Sequence, residues 1–272
     1  MIPAGNECYH ETNGSIHAFG HEWSEADLDA ALNSEVSAAV YDCEGNKDLQ
    51  SMLKLVETTD FENGELEKVL SCNDKLKPWQ VGEAIAGCYL EKHRNCCFPW
   101  PNSRDVRRPG SSLPGADLVG FITEDDNIRF AFGEVKTSEQ EMWPPQVCRG
   151  RSGTHSLGAQ IEDLCLQDKI KIHIFKYLGH RVGLSSERSR SVAIQFRNAA
   201  TRFLNNHDDV YVVGFLVRDV EPKAADFDAL LTRISKIKPN TTTVELFALY
   251  LPKGRICTLA KTIERVRKDG AA

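Results

Sequence analysis

The sequence predicts an α/β fold, and three observations carry that expectation. Apolar runs suited to strands occur at 116–123, 128–136, 209–217 and 242–251. Segments with apolar residues at helical spacing lie before and between them, at 78–94, 156–180, 187–206, 224–237 and 256–268. The turn segment EDDN (124–127) joins the first two strands as an antiparallel hairpin.

Read in order, residues 1–20 look like a loose lead-in. SEADLDAALNS (24–34) reads as a short helix, with Ser24 as N-cap and Asp27 three residues on, where a Glu or Gln would complete a capping box. VSAAVYDC (36–43) is expected as a strand and NGELEKVLS (63–71) as a helix. The polar, Pro-containing CNDKLKPW (72–79) marks a boundary. This gives an acidic N-terminal α+β region, 1–77, and a second domain, 78–272. Pro78 suits the first turn of the helix PWQVGEAIAGCYLEKHR. The Pro/Gly/Ser-rich connection 95–115 carries Arg104, Arg107 and Arg108.

Composition is that of an ordinary globular chain: 272 residues, 41% hydrophobic, 26% charged. There is no apolar run long enough for a membrane span. The opening MIPAGNECYHETNG lacks the basic start and apolar core of a secretory signal. The nine cysteines are therefore expected as reduced thiols in a cytoplasmic protein. The net charge of −6 conceals an asymmetry. Residues 1–77 hold 16 acidic and 5 basic residues, a balance of −11, and residues 78–272 hold 23 and 28, a balance of +5. The acidic part is either a solubilising surface or a cover that keeps nucleic acid from the basic part.

The chemistry centres on FGEVKTS (132–138). Strand residues two apart share a face, so Glu134 and Lys136 are expected side by side, with Val135 turned to the core. Asp117, on the partner strand of the hairpin, brings a second carboxylate. Two carboxylates suit a hard cation such as Mg²⁺, and an ammonium beside them can orient water and offset charge on a phosphate. Glu83, early in the helix from Pro78, is a candidate third carboxylate.

A helix with GE, then PGAD, a turn, GEVK and a long helix together resemble the PD-(D/E)XK nuclease superfamily, the restriction-endonuclease-like fold. The resemblance covers about residues 78–180, with 209–217 as a following core strand. It implies a mixed central sheet flanked by helices and Mg²⁺-dependent phosphodiester cleavage, with Mn²⁺ as a substitute. It also implies that Asp117 and Glu134 are metal ligands, that Lys136 is the catalytic lysine, and that Glu83 is the helical glutamate. Val135 would lend a carbonyl oxygen to the metal, and Gln160 would be a site residue opening the long helix. The sequence departs from the pattern in having Ala116, not proline, directly before Asp117; Pro114 stands nearby.

No helicase, methylase or target-reading segment is evident. The chain in this respect resembles the nuclease subunit of a Hachiman-type anti-phage defence system, which implies DNA as substrate and a restraining partner such as a helicase. The alternative is a noncatalytic DNA-binding or assembly module on the same fold, and ribonuclease activity is a third option. Trp143, Arg149 and Arg151, in the loop after the Lys136 strand, could stack on bases or hold phosphates, with Arg188 and Arg190 extending that face. An ordinary surface loop with a buried tryptophan is the competing expectation. Cys88, His93, Cys96 and Cys97 lack regular zinc-ligand spacing, and Cys257 lacks companions for an iron–sulfur cluster.

Overall fold

The most apolar segment lies at the centre of the sheet. Every residue of VYVVGFLVR (210–218) is buried, as a strand covered on both faces requires. The computed structural model describes residues 1–53, 75–101, 104, 115–125, 127–150, 155–183 and 190–270. Among these, seven strands form one sheet: β1 (Asn6–Asn13), β2 (Ile16–Glu22), β3 (Cys96–Cys97), β4 (Leu118–Glu124), β5 (Asn127–Ser138), β6 (Val210–Arg218) and β7 (Thr243–Tyr250). The spatial order is β1-β2-β7-β6-β5-β4-β3. Strands β2, β7, β6 and β5 run parallel to their neighbours in that set, while β1, β4 and β3 add antiparallel edges. The molecule is thus mixed α/β, with a mixed sheet between helical layers.

Alternation along β5 divides the two layers. Ala131 and Val135 join a core built with α1 (Glu25–Leu32), α2 (Glu35–Val40), α4 (Pro78–His93) and α9 (Leu259–Gly270). Phe130 and Phe132 face the opposite core, built with α5 (Leu157–Leu166), α6 (Asp168–Gly183), α7 (Arg190–Asn205) and α8 (Asp228–Ile237). A further helix, α3 (Cys43–Leu53), contributes no fully buried side chain. The Ser24 capping box forms: the Asp27 amide donates to Ser24 Oγ at 3.2 Å and the Ser24 amide to Asp27 Oδ2 at 3.0 Å. Pro78 begins α4, and the 124–127 turn joins β4 to β5 antiparallel.

Three expectations differ from the fold. Residues 1–20 are not a loose lead-in: β1 and β2 form a hairpin, and β2 adds in parallel to β7. Ile16 and Ala18 are buried between exposed or half-buried histidines, a period-two signal diluted by polar residues. The N-terminal region therefore shares one sheet with residues 118–250. Residues 36–43 are not a strand. Val36 and Val40 lie four apart on one side of helix α2, and the alanines between them favour the helix. The 156–180 helix divides at Gln167 into α5 and α6. The expected helix 63–71 and Arg107, Arg108, Arg151 and Arg188 lie outside the described residues.

Candidate active site

β5 carries Glu134 and Lys136 in its C-terminal half, where its neighbours leave space. Leu118 on β4 is opposite Gly133, so Asp117 comes one step on, beside Glu134 on the same face. On the other side Glu134 is opposite Gly214 of β6. A methyl group at Gly214 would stand 2.8 Å from the Leu246 side chain of β7, so the glycine makes room for Leu246 next to Glu134. Gly214 was not singled out from sequence, although a glycine inside an apolar strand is the usual sign of such an approach.

Three of the predicted residues come together. The Lys136 ammonium pairs with Glu134 Oε1. Asp117 Oδ2 accepts a hydrogen bond from the Val135 amide at 2.8 Å. Glu134 is 1% exposed, and its Oε2 is buried without a hydrogen-bond partner. Burial first, then repulsion from the Asp117 carboxylate, pushes the Glu134 acid up to about 9 against the pull of Lys136. Asp117 is raised too, mainly by burial, with the Val135 amide and Lys136 opposing. The pair thus resists carrying two negative charges, the property expected of carboxylates awaiting a cation. Val135 itself is buried in the α4 core, as expected for the residue between two site side chains.

Glu83 and Gln160 stand differently. Gly82 packs against the Thr137 side chain, so closely that a methyl there would overlap the hydroxyl. This brings α4 to the C-terminal end of β5, with Glu83 half-buried in the layer opposite Glu134. Among the described residues no group of three or more His, Cys, Asp or Glu side chains is placed to hold a metal. Asp117, Glu134 and Glu83 are therefore not gathered into such a set. A two-carboxylate donor set with an orphaned oxygen still fits Mg²⁺, which characteristically keeps several waters of its own. Gln160 is in the first turn of α5, where Ser156 caps the helix and Gln160 Nε2 donates to the His155 carbonyl at 3.3 Å.

The loop after β5 is tied down. Trp143 donates through its indole N–H to the Glu221 carbonyl at 3.1 Å, and the Lys223 ammonium sits 3.9 Å from its ring centre. One aromatic face is thus already engaged by a cation. The Arg149 side chain is exposed and donates to the Pro144 carbonyl at 3.0 Å. Arg190 is exposed at the start of α7. The buried Arg218 anchors this loop: it pairs with Asp226 and donates to the carbonyls of Gln140 and Met142. His93 meets the Ile2 carbonyl at 3.2 Å, and Cys88, Cys96 and Cys97 are thiols raised by burial. No helix among the described residues is long and apolar enough to cross a membrane. A scan against protein-family models finds no match to the chain, and a search of curated proteins finds none either.

Proposed function

We propose that the chain is a metal-dependent nuclease on a restriction-endonuclease-like core, hydrolysing DNA phosphodiester bonds at Asp117, Glu134 and Lys136. The observation that carries this reading is Glu134 Oε2, a buried carboxylate oxygen with no hydrogen-bond partner, beside a second carboxylate and an ammonium. Without a cation the strain is relieved by a proton held between Glu134 and Asp117, and a bound cation would take that proton's place. Asp117 and Glu134 would hold Mg²⁺, or Mn²⁺ in its place, with Glu83 and the Val135 carbonyl as supplementary donors. The bound cation supplies charge neutralisation at the phosphate and a more acidic water. Lys136 orients the attacking water and offsets the charge gathering on the phosphate oxygens. In-line attack leaves a 5′-phosphate, and Gln160 borders the site from α5. The test is plasmid cleavage with Mg²⁺, with EDTA, and with Glu134→Ala or Lys136→Ala, plus an RNA substrate alongside. Full Mg²⁺-dependent cleavage by Glu134→Ala would sink the assignment.

The second reading is a noncatalytic DNA-binding or assembly module, favoured by the lack of a three-ligand group among the described residues. It predicts salt-sensitive binding, no metal requirement and no cut products. We also propose that the chain is an effector in a cytoplasmic anti-phage complex, restrained by a partner such as a helicase. The acidic N-terminal residues are part of that reading. Asp42, just before α3, holds Arg104 of the loop that leads to Asp117 through two hydrogen bonds of 2.5 and 2.6 Å. Deleting residues 1–77 would remove β1 and β2, so restraint is better tested by neutralising Asp42, Glu44 and Asp48 together. Basal cleavage should rise; unchanged cleavage in a folded variant counts against restraint by this segment.

A further inference from the structure

We propose that the outer face of α6 is a track for the phosphate backbone of duplex DNA. Lys169, His173, Lys176 and His180 are all exposed and fall at i, i+4, i+7 and i+11. That spacing places them on one helix face over about 16 Å of axis. The opposite face is buried through Lys171, Ile174 and Leu178. None of the four exposed side chains hydrogen-bonds or pairs with another described residue.

A merely solvated helix face usually alternates acids and bases. Here the sequence from Lys169 to Asn205 has eight Lys and Arg residues and one acid, Glu187. The neighbouring helix adds to the same sign. α6 and α7 pack antiparallel, with Phe175 stacked 5.2 Å from Phe203, while Gly179, one turn on, meets Phe196. This order brings Arg197 and Arg190, both exposed, toward the His180 end of α6.

The track is held against the sheet by two anchors. Near its start α6 is fixed by the buried Lys171, which pairs with Asp208 just ahead of β6. Further along, Phe175 meets Phe130 of β5 edge-on at 5.7 Å.

The ligand class follows from what the face lacks. Phe175, Tyr177 and Phe196 are half-buried in the α6–α7 stack, and no exposed Phe, Tyr, Trp, Asn or Gln lies on the α6 stripe. A line of ammonium and imidazole groups fits a row of phosphates. Binding is accordingly carried by the duplex backbone.

This inference rests on the nuclease reading for its choice of polyanion, and it is tested without cleavage. Binding of the full chain to a short fluorescent DNA duplex is followed by anisotropy in EDTA across a salt series. K169A/K176A is compared with K261A/K268A, an equal charge change on α9 in the other layer. The stripe variant should bind all duplex sequences more weakly, with the slope of log affinity against log salt reduced by about 2. The α9 variant should keep the wild-type slope. Equal behaviour of the two variants overturns the track, as does tighter binding of a single-stranded oligothymidine than of duplex. If the stripe variant binds normally while the wild type cleaves with Mg²⁺, the track fails and the nuclease stands. If the stripe variant alone loses binding while the wild type never cleaves, the track stands and the nuclease fails.

Discussion

Two buried ion pairs sit at the C-terminal ends of adjacent parallel strands, and they are built to opposite specifications. Arg218 on β6 and Asp226 are both fully buried, and their polar atoms are largely spoken for. Arg218 reaches two backbone carbonyls as well as Asp226, and the Tyr250 hydroxyl donates to Asp226 Oδ2 at 2.7 Å. Lys136 and Glu134 on β5 make one pair, leave Glu134 Oε2 unpartnered, and set a second carboxylate alongside. Burial raises Asp226 as well, but its neighbours Tyr250 and Arg218 both favour the charged form. Around Glu134 a like charge adds to burial. Each pair leaves one buried atom unpartnered, but at Arg218 it is Nε, a donor that offers a cation nothing, whereas at Glu134 it is a carboxyl oxygen that can take one.

The largest expected difference is in cleavage. Glu134→Ala or Lys136→Ala should lower Mg²⁺-dependent plasmid cutting by roughly 10²–10⁴-fold or more with the circular dichroism spectrum unchanged. Asp226→Ala should act the other way round. It strands the buried Arg218 charge and should cost about 3–5 kcal/mol in denaturant unfolding.

Next in size is the response of the metal-free protein to neutralising one acid. Glu134→Gln should raise stability at pH 8 by about 1–4 kcal/mol, since the folded Glu134 must take up a proton that the unfolded acid has released and the amide need not. The pH dependence follows from the sign of the shift. Glu134 titrates near 9 when folded, against 4.5 as its ordinary value, so the folded state holds a proton that the unfolded state has released. In EDTA its contribution is complete below about pH 4.5 and is lost as pH rises toward 9. Glu134→Gln should flatten that slope, and an unchanged slope would place the titration elsewhere.

Mg²⁺ at 100 times its dissociation constant should stabilise the wild type by about 2.7 kcal/mol, and Asp117→Asn or Glu134→Gln should abolish the gain. Thermal denaturation with and without metal reads this independently of catalysis. The smallest effect is at Gln160: its alanine variant should slow cleavage within about tenfold, because its side chain is already engaged by the His155 carbonyl.

The two ion pairs were not equally legible in the sequence. Glu134, Lys136 and Asp117 could be placed together because strand alternation and a short turn are local rules. The Arg218–Asp226 pair joins the end of β6 to a turn eight residues away through a loop from β5, which no periodicity announces. The central strands 118–124, 127–138, 210–218 and 243–250 stand close to the apolar runs that predict them. The N-terminal hairpin was hidden because β2 is half histidine, phenylalanine and glycine, and its partner lies more than two hundred residues away. Trp143 was legible as a loop tryptophan. Its engagement with Lys223 and the Glu221 carbonyl depends on a distant turn.

That distant partnership has a consequence for how the chain is made. β2 finds its inner neighbour in β7, so Ile16 waits for Val244 and Glu22 for Tyr250. During synthesis a nascent chain that has emerged through β6 holds an N-terminal hairpin with an unpaired edge, a surface prone to wrong pairing. Only when β7 is released can Tyr9 reach the Tyr250 hydroxyl, at 3.2 Å. Closing so long a loop is slow relative to local helix formation, which makes β7 docking a natural late step in the birth of this protein.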